Sequence, residues 1–580
     1  MRKTVLWSLA VLVLAAALAL AGGSRKKVAY EEPLKEDKPF DPNVQYHPLP
    51  APDWSRVTDV GTPTTLTGFY DYQSNGGALQ HLRVNPANGN IHVTYMLSDD
   101  STAAGLNSAR RVAYAFSSNN GSTWNNFNNL RIPSRRAGFP TIDLLRGPNA
   151  GLPVIVNHNV VNAAFSIQPL AYVDSPEGAG AFSELNAPPD GGFATDQPIW
   201  PYVAGASDGS IVMAASRSTA ATAHYTRTAD FATWAAWTQV TEVTQSGGRY
   251  PVQANGTGRV GMLFNTSNGT AALGNWWLES TNNGLTWSTP VNLFGQRYVG
   301  TDTMNSYVHC DFVYNGNTPV FVFSEYVLNV NREDEEISFY SQPTGWKIAV
   351  PHDTTKYKFD PVNQRFHALR LGWPSIGMSG STIVVAYQAF QADTDRLGYH
   401  FSDLWYVASS NGGTTWGAPQ RITNTPNVDE RYPSVSKYNA AGQFNIVWSQ
   451  KNGRSGLYAF PGDADTVRAS QMFLRVSPIV FGGTSVDDGK GVANSFKLSQ
   501  NYPNPFNPAT RIDYTVAQAG PVSIKVYNEL GQEVATLLNE TLAPGSYQVT
   551  FDGKNLASGI YIYKMTAGSY VESKKMVLMK

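Results

Sequence analysis

Short apolar runs separated by turns rich in Gly, Asn and Pro dominate the chain from about residue 60 to 475. Ile91-His92-Val93-Thr94-Tyr95, Val320-Phe321-Val322-Phe323, Ile383-Val384-Val385-Ala386-Tyr387 and Phe444-Asn445-Ile446-Val447-Trp448 are short and rich in β-branched and aromatic residues. That pattern predicts strands inside a sheet. An aromatic followed by proline opens a strand at Phe139-Pro140, Trp200-Pro201, Tyr250-Pro251, Trp373-Pro374 and Tyr432-Pro433. The prolines are 61, 50, 123 and 59 residues apart, and Tyr307–Phe312 fills the long gap. Leu79–Val84 adds a start without proline. Seven starts at this spacing predict a radial repeat of four-stranded units. The last unit shows three strands of its own, and Thr67–Tyr72 is expected to supply the fourth and close the ring.

A second repeat lies in the turns. Ser117, Asn119, Gly121, Thr123 and Trp124 share one spacing with Ser280, Asn282, Gly284, Thr286 and Trp287, and with Ser409, Asn411, Gly413, Thr415 and Trp416. Each copy follows a strand-like run. Asn tolerates left-handed backbone and bonds its own turn, Gly supplies positive φ, and Trp anchors the next strand. The pattern S-x-N-x-G-x-T-W resembles the Asp box (BNR repeat) of sialidases and related β-propellers, with Asn in place of Asp. The resemblance implies a six- or seven-bladed β-propeller, seven being favoured by the count of starts. It also implies that the boxes are structural turns opposite the ligand face.

Both ends of the chain read differently. Residues 1–21 have a positive start (Arg2, Lys3), an apolar run from Val5 to Leu20 and small residues before Gly22, the pattern of a signal peptide, so no transmembrane span is expected in the mature protein. Residues 22–59 are charged and Pro-rich and read as a tether, and 476–495 as a Gly/Asp-rich linker. Residues 496–580 alternate polar and apolar positions between tight turns, which predicts a small immunoglobulin-like β-sandwich. Asn501-Tyr502-Pro503-Asn504-Pro505-Phe506-Asn507-Pro508, Leu530-Gly531-Gln532-Glu533-Val534 and Ser558-Gly559-Ile560-Tyr561-Ile562-Tyr563 resemble the C-terminal sorting domain of type IX secretion. That resemblance implies the type IX machinery as a partner, and a place outside a Gram-negative cell, secreted or on the outer-membrane surface.

Composition narrows the function. The net charge of −1 gives no reason to expect nucleic acid, and the single cysteine, Cys310, excludes an intramolecular disulfide. No metal or cofactor motif is present. Long loops at Ser98–Arg110, Ser324–Ile337 and Gln388–Asp403 are where binding is expected, with Asp395 and Arg396 among their charges. Arg135, Arg249, Arg370 and Arg431 stand just before predicted first strands, where converging guanidinium groups could hold a carboxylate. Sialidases hold a carboxylate with three arginines, but a Tyr–Glu nucleophile pair is not evident. Glu325-Tyr326 is the one adjacent candidate. Two classes therefore remain open. One is a non-catalytic module binding a glycan or surface protein through its loop face. The alternative is an exo-acting, sialidase-like glycoside hydrolase with Arg249, Arg431 and Glu325 as candidate catalytic groups.

Overall fold

The computed structural model describes residues 60–69, 80–102, 108–160, 167–193, 196–217, 219–243, 250–266, 274–293, 297–299, 302–327, 335–353, 357, 371–395, 400–453, 467–481, 496–501, 504–516, 520–542, 545–568 and 570–579. The chain forms two compact units. One comprises residues up to Thr415 with Arg421–Ile479, the other Trp416–Gln420 with Val480–Lys580.

The described part of the first unit contains seven antiparallel sheets. Sheet 1 holds Leu82–Val84, Ile91–Ser98 and Arg110–Ser117. Sheet 2 holds Ala137–Leu144, Pro153–Val160, Ile167–Asp174 and Phe182–Glu184. Sheet 3 holds Pro198–Gly205, Ile211–Arg217, Ala223–Thr228 and Thr238–Gln239. Sheet 4 holds Val252–Ala254, Val260–Thr266, Gly274–Ser280 and Val291–Asn292. Sheet 5 runs from Arg297–Val299 through Asp302–Asn315, Thr318–Val327 and Glu336–Ser341 to Gly345–Val350. Sheet 6 holds Leu371–Ser379, Thr382–Thr394 and His400–Ser409, with Tyr438–Asn439 added in parallel. Sheet 7 holds Val428–Val435, Phe444–Asn452 and Ala469–Val476, and its outer strand is Thr62–Gly68 from the other end of the chain. The closing strand predicted at Thr67–Tyr72 thus lies five residues earlier, where the alternation Thr64, Leu66, Gly68 faces inward.

Hydrogen bonds between neighbouring sheets carry the ring round. Ile142 N donates to Gln80 O (2.9 Å) and the Thr141 hydroxyl to Pro201 O (3.1 Å). The Tyr250 hydroxyl donates to Trp200 O (2.7 Å), and that of Tyr314 to Glu279 (2.9 Å). Ile376 N donates to Asp311 (3.0 Å), Val435 N to the Ser375 hydroxyl (3.0 Å) and His81 N to the Ser434 hydroxyl (3.1 Å), which returns to sheet 1. Because each sheet is flanked by two others, strands such as Ile91–Ser98, Leu371–Ser379 and Val428–Val435 are buried along their whole length rather than on alternate residues.

Each full turn repeat packs on the preceding sheet. Gly121, Gly284 and Gly413 have φ of 80°, 83° and 86°. A Cβ at these positions would lie 2.1 Å from Phe473, 2.8 Å from Val212 and 2.2 Å from Phe339 respectively. Glycine is required twice over, for the left-handed backbone and for the close approach.

The second unit contains two sheets sharing one apolar core. Lys497–Leu498, Ala509–Val516 and Gly545–Asp552 form one; Glu533–Leu542, Gly520–Tyr527, Gly559–Ala567 and Tyr570–Leu578 form the other, in that spatial order. Gly559–Ala567 alternates buried and exposed residues, as a strand does with solvent on one face.

Candidate functional site

Antiparallel connection sorts the two faces of the ring. Innermost strands begin on one face, to which the turns between second and third strands also return. The turns between third and fourth strands, which carry the Asn boxes, lie on the other. Near the start of four innermost strands the backbone breaks the same rule. Phe139, Trp200, Trp373 and Tyr432 all have φ between 48° and 59°, in the left-handed region that bulky residues avoid. The pairing register slips beside each of them. Such strain, about 1–3 kcal/mol per residue, persists where the surroundings impose it and collects at functional sites. The bulge turns each ring toward its neighbours. Phe139 meets Trp200 edge-on with centroids 6.4 Å apart, Trp373 meets Tyr432 at 5.0 Å, and His309 lies 3.9 Å from Trp373. The Arg110 guanidinium sits 5.0 Å from the Phe139 ring and bonds His158. Trp200 is half-buried and the other three are buried.

Polar side chains fill the centre further along these strands. Arg83 pairs with Asp143 (2.7 Å) and reaches Gln253 of sheet 4 (3.2 Å). Gln80 donates to Val203 O (3.1 Å) and accepts from Val252 N (3.2 Å). Lys437 pairs with Asp311 and donates to Ile376 O (3.1 Å). Burial would raise the Asp143 pKa, but Arg83 and Arg146 outweigh it and hold the carboxyl below its ordinary value. Burial lowers Lys437 to about 8 against the attraction of Asp311. The Arg83–Gln253, Gln80–Val203, Gln80–Val252 and Lys437–Asp311 bonds reach across sheets that do not adjoin, so the aromatic level has a polar floor.

The ends of sheets 6 and 7 on the aromatic face carry a buried acid cluster. Asp429 accepts from the backbone and hydroxyl of Ser402 (both 2.9 Å) and pairs with Arg431, which lies over Phe390. Asp403 pairs with Arg421. Among the described residues neither Glu430 oxygen makes a hydrogen bond of ordinary geometry, and the Asp403 carboxyl and the Thr425 hydroxyl lie beside it. Burial raises Asp403 to about 6, with Arg421 pulling the other way. Burial, then the charge of Asp403, holds Glu430 well above the carboxylate range. Two buried carboxyls side by side, with burial and then its neighbour's charge opposing ionisation of Glu430, are an arrangement suited to general acid–base chemistry. Among the described residues no group of three or more His, Cys, Asp or Glu is placed to hold a metal.

The residues singled out from sequence fall in different places. Arg431 joins the acid cluster. Glu325 is buried at the end of its strand in sheet 5, directly opposite Glu336. Asp395 is buried after the second strand of sheet 6. Arg135 turns outward, bonding Glu184 (2.8 Å) and the Tyr172 hydroxyl (3.2 Å) within sheet 2. Arg249, Arg370 and Arg396 lie outside the described residues. All three boxes form one hydrogen-bonded turn. In the first, Asn119 Oδ1 accepts from the Ser117 hydroxyl and Thr123 N (both 2.9 Å), and its amide donates to the Thr123 hydroxyl (2.8 Å). Sequence reasoning did not single out Arg83, Asp143, Arg110, Asp429 or Glu430 as site residues. Asp429-Glu430-Arg431 did carry a signal, three consecutive charges entering a strand buried on both faces.

A family model described as the secretion system C-terminal sorting domain matches residues 500–579. These residues are a type IX sorting domain, which implies export to the cell surface or release. Among the described residues, no helix is long and apolar enough to cross a membrane. No curated protein matches the chain. Similar solved structures include PorZ, a bacterial surface component of the type IX secretion system of Porphyromonas gingivalis, at 12% identity and TM-score 0.37; the match covers 88% of this chain and 60% of that one, under two thirds of its length. The α-L-arabinofuranosidase Arb93A of Fusarium graminearum matches at 10% identity and TM-score 0.37, covering 60% of this chain and 97% of that one. The Hadza microbial sialidase Hz136 matches at 12% identity and TM-score 0.34, over 63% and 73%. At these scores the propeller-like fold stands on the ring of sheets itself.

Proposed function

We propose that the first unit is a seven-bladed propeller, exported by the type IX route, that binds a glycan at the centre of its aromatic face. The observation that carries this reading is the set of four aromatic side chains held in left-handed backbone at one level of the ring. Trp200, the one of the four that is only half-buried, offers an aromatic face to the apolar face of a sugar, with Phe139 packed edge-on against it. The turns of Asp-box type lie on the opposite face and are structural, and the second unit is an immunoglobulin-like sandwich serving export. Glu325, Asp395 and Arg431 stand at strand ends on the binding face. A glycan array probed with the full chain, followed by titration of any hit, tests this. Trp200→Ala is expected to weaken binding at least tenfold with an unchanged melting temperature. Equal binding by the folded variant would rule the reading out.

The buried Asp403–Glu430 pair favours a second reading, a glycoside hydrolase that draws its acid–base group from these two carboxyls. Release of fluorophore from aryl glycosides that is lost in both Asp403→Asn and Glu430→Gln would establish it. Turnover unaffected by either change would dismiss it.

A further inference from the structure

The larger sheet of the sorting domain has an outer face unlike that of an ordinary solvated sheet. Ile560, Ile562 and Val571 project from it with 37%, 40% and 55% of their surface exposed. Ile562 lies between Tyr527 on one neighbouring strand and Lys575 on the other, and Ile560 lies opposite Val577. Lys564 stands directly opposite Lys525, a like-charge pair that disfavours the sheet. Lys525 is neutralised by Glu533 (2.9 Å), whereas Lys564 and Lys575 have no acidic partner among the described residues. The opposite side of the same strands, with Tyr561, Tyr563, Met565 and Met576, is fully used in the core. Cross-strand pairing of Ile560 with Val577 and of Ile562 with Tyr527 still leaves both isoleucines more than a third exposed, beside lysines that have no acidic partner among the described residues.

We infer that this face, Ile560, Ile562, Val571, Lys564 and Lys575, is the surface by which the sorting domain is read, and that it docks on a protein face carrying apolar side chains and carboxylates. The inference rests on the sorting-domain match for residues 500–579. Charge complementarity selects an acidic partner. Two free lysines are fewer than the four to eight basic residues that hold a segment on an anionic membrane, so a protein fits better than a lipid surface.

The test compares full-length chains in a bacterium with a type IX system. Lys564→Glu with Lys575→Glu, and separately Ile560→Ser with Ile562→Ser, are expected to lower the exported yield at least tenfold. Folded chain should accumulate in the periplasm, and removal of residues 500–579 should do the same. Purified variants should melt as the parent does, since all four positions are exposed. If the charge-reversed chain does not melt cooperatively, Lys564→Gln with Lys575→Gln decides by the same readout. Export of the folded face variants at the parental level, with the deletion still blocked, would overturn the docking face and leave the sorting reading standing. Unimpaired export of the deletion would remove that reading and the inference with it. Co-sedimentation of the full chain with phosphatidylglycerol vesicles, lost on charge reversal, would assign the face to a membrane and overturn the protein partner.

Discussion

Asn282 uses its whole amide in the box: Oδ1 accepts from the Ser280 hydroxyl and Thr286 N, and Nδ2 donates to the Thr286 hydroxyl. An aspartate keeps both acceptances, and the threonine hydroxyl can turn to donate. Asn282→Asp should therefore change stability by less than about 0.5 kcal/mol, whereas Asn282→Ala should cost about 1–2 kcal/mol. Melting the two variants side by side checks this, and equal losses would show that the amide donor is essential. The acid pair gives a prediction in pH. Unfolded, Asp403 and Glu430 titrate near 3.8 and 4.5; folded, burial raises Asp403 to about 6 and lifts Glu430 well above its ordinary value. The folded chain thus holds more protons above about pH 4, and its stability falls as pH rises until both groups have ionised. Glu430→Gln removes the buried carboxyl whose ionisation beside Asp403 is disfavoured. The variant should be more stable than the parent at pH 8 and about equal to it at pH 4, read from denaturation midpoints. A gain independent of pH would sink this account.

Two adjacent glycines in the third box separate the two demands made on such turns. Gly412 (φ 70°) has open space around it, while Gly413 (φ 86°) lies against the Phe339 ring. Gly412→Ala carries only the backbone term, about 1 kcal/mol, and Gly413→Ala should cost about 2–4 kcal/mol because the neighbouring sheet must also give way. Equal melting temperatures for the two would contradict the packing described for the box. At this scale much was legible in advance. Aromatic-proline starts marked innermost strands, the boxes marked the turns, and the N-terminal strand was expected to complete the last sheet. The left-handed aromatics were not legible, since a residue before proline is ordinarily extended. The hydroxyl after the proline in Thr141, Ser375 and Ser434, which stitches each strand to the next sheet, was in plain view without a register to interpret it.

The ring as a whole assembles what sequence order keeps apart. Arg83 meets Gln253 across 170 residues and Lys437 meets Asp311 across 126, so the floor exists only once the circle is complete. Nothing local to those residues announced it. Lys437→Ala would leave Asp311 buried without its cation and should cost about 3–5 kcal/mol, with Lys437→Arg recovering part of the loss. Unfolding midpoints check this, and an unperturbed Lys437→Ala chain would show the floor to be dispensable. The closing strand has a consequence in time. Thr64 bonds Gln471, 407 residues downstream. A ribosome adding about 5–20 residues per second delivers the second partner roughly 20–80 s after the first. For that interval the circle stays unlatched and the nascent chain pliable, so the order of synthesis itself acts as a timer that postpones rigidity until the last sheet has emerged.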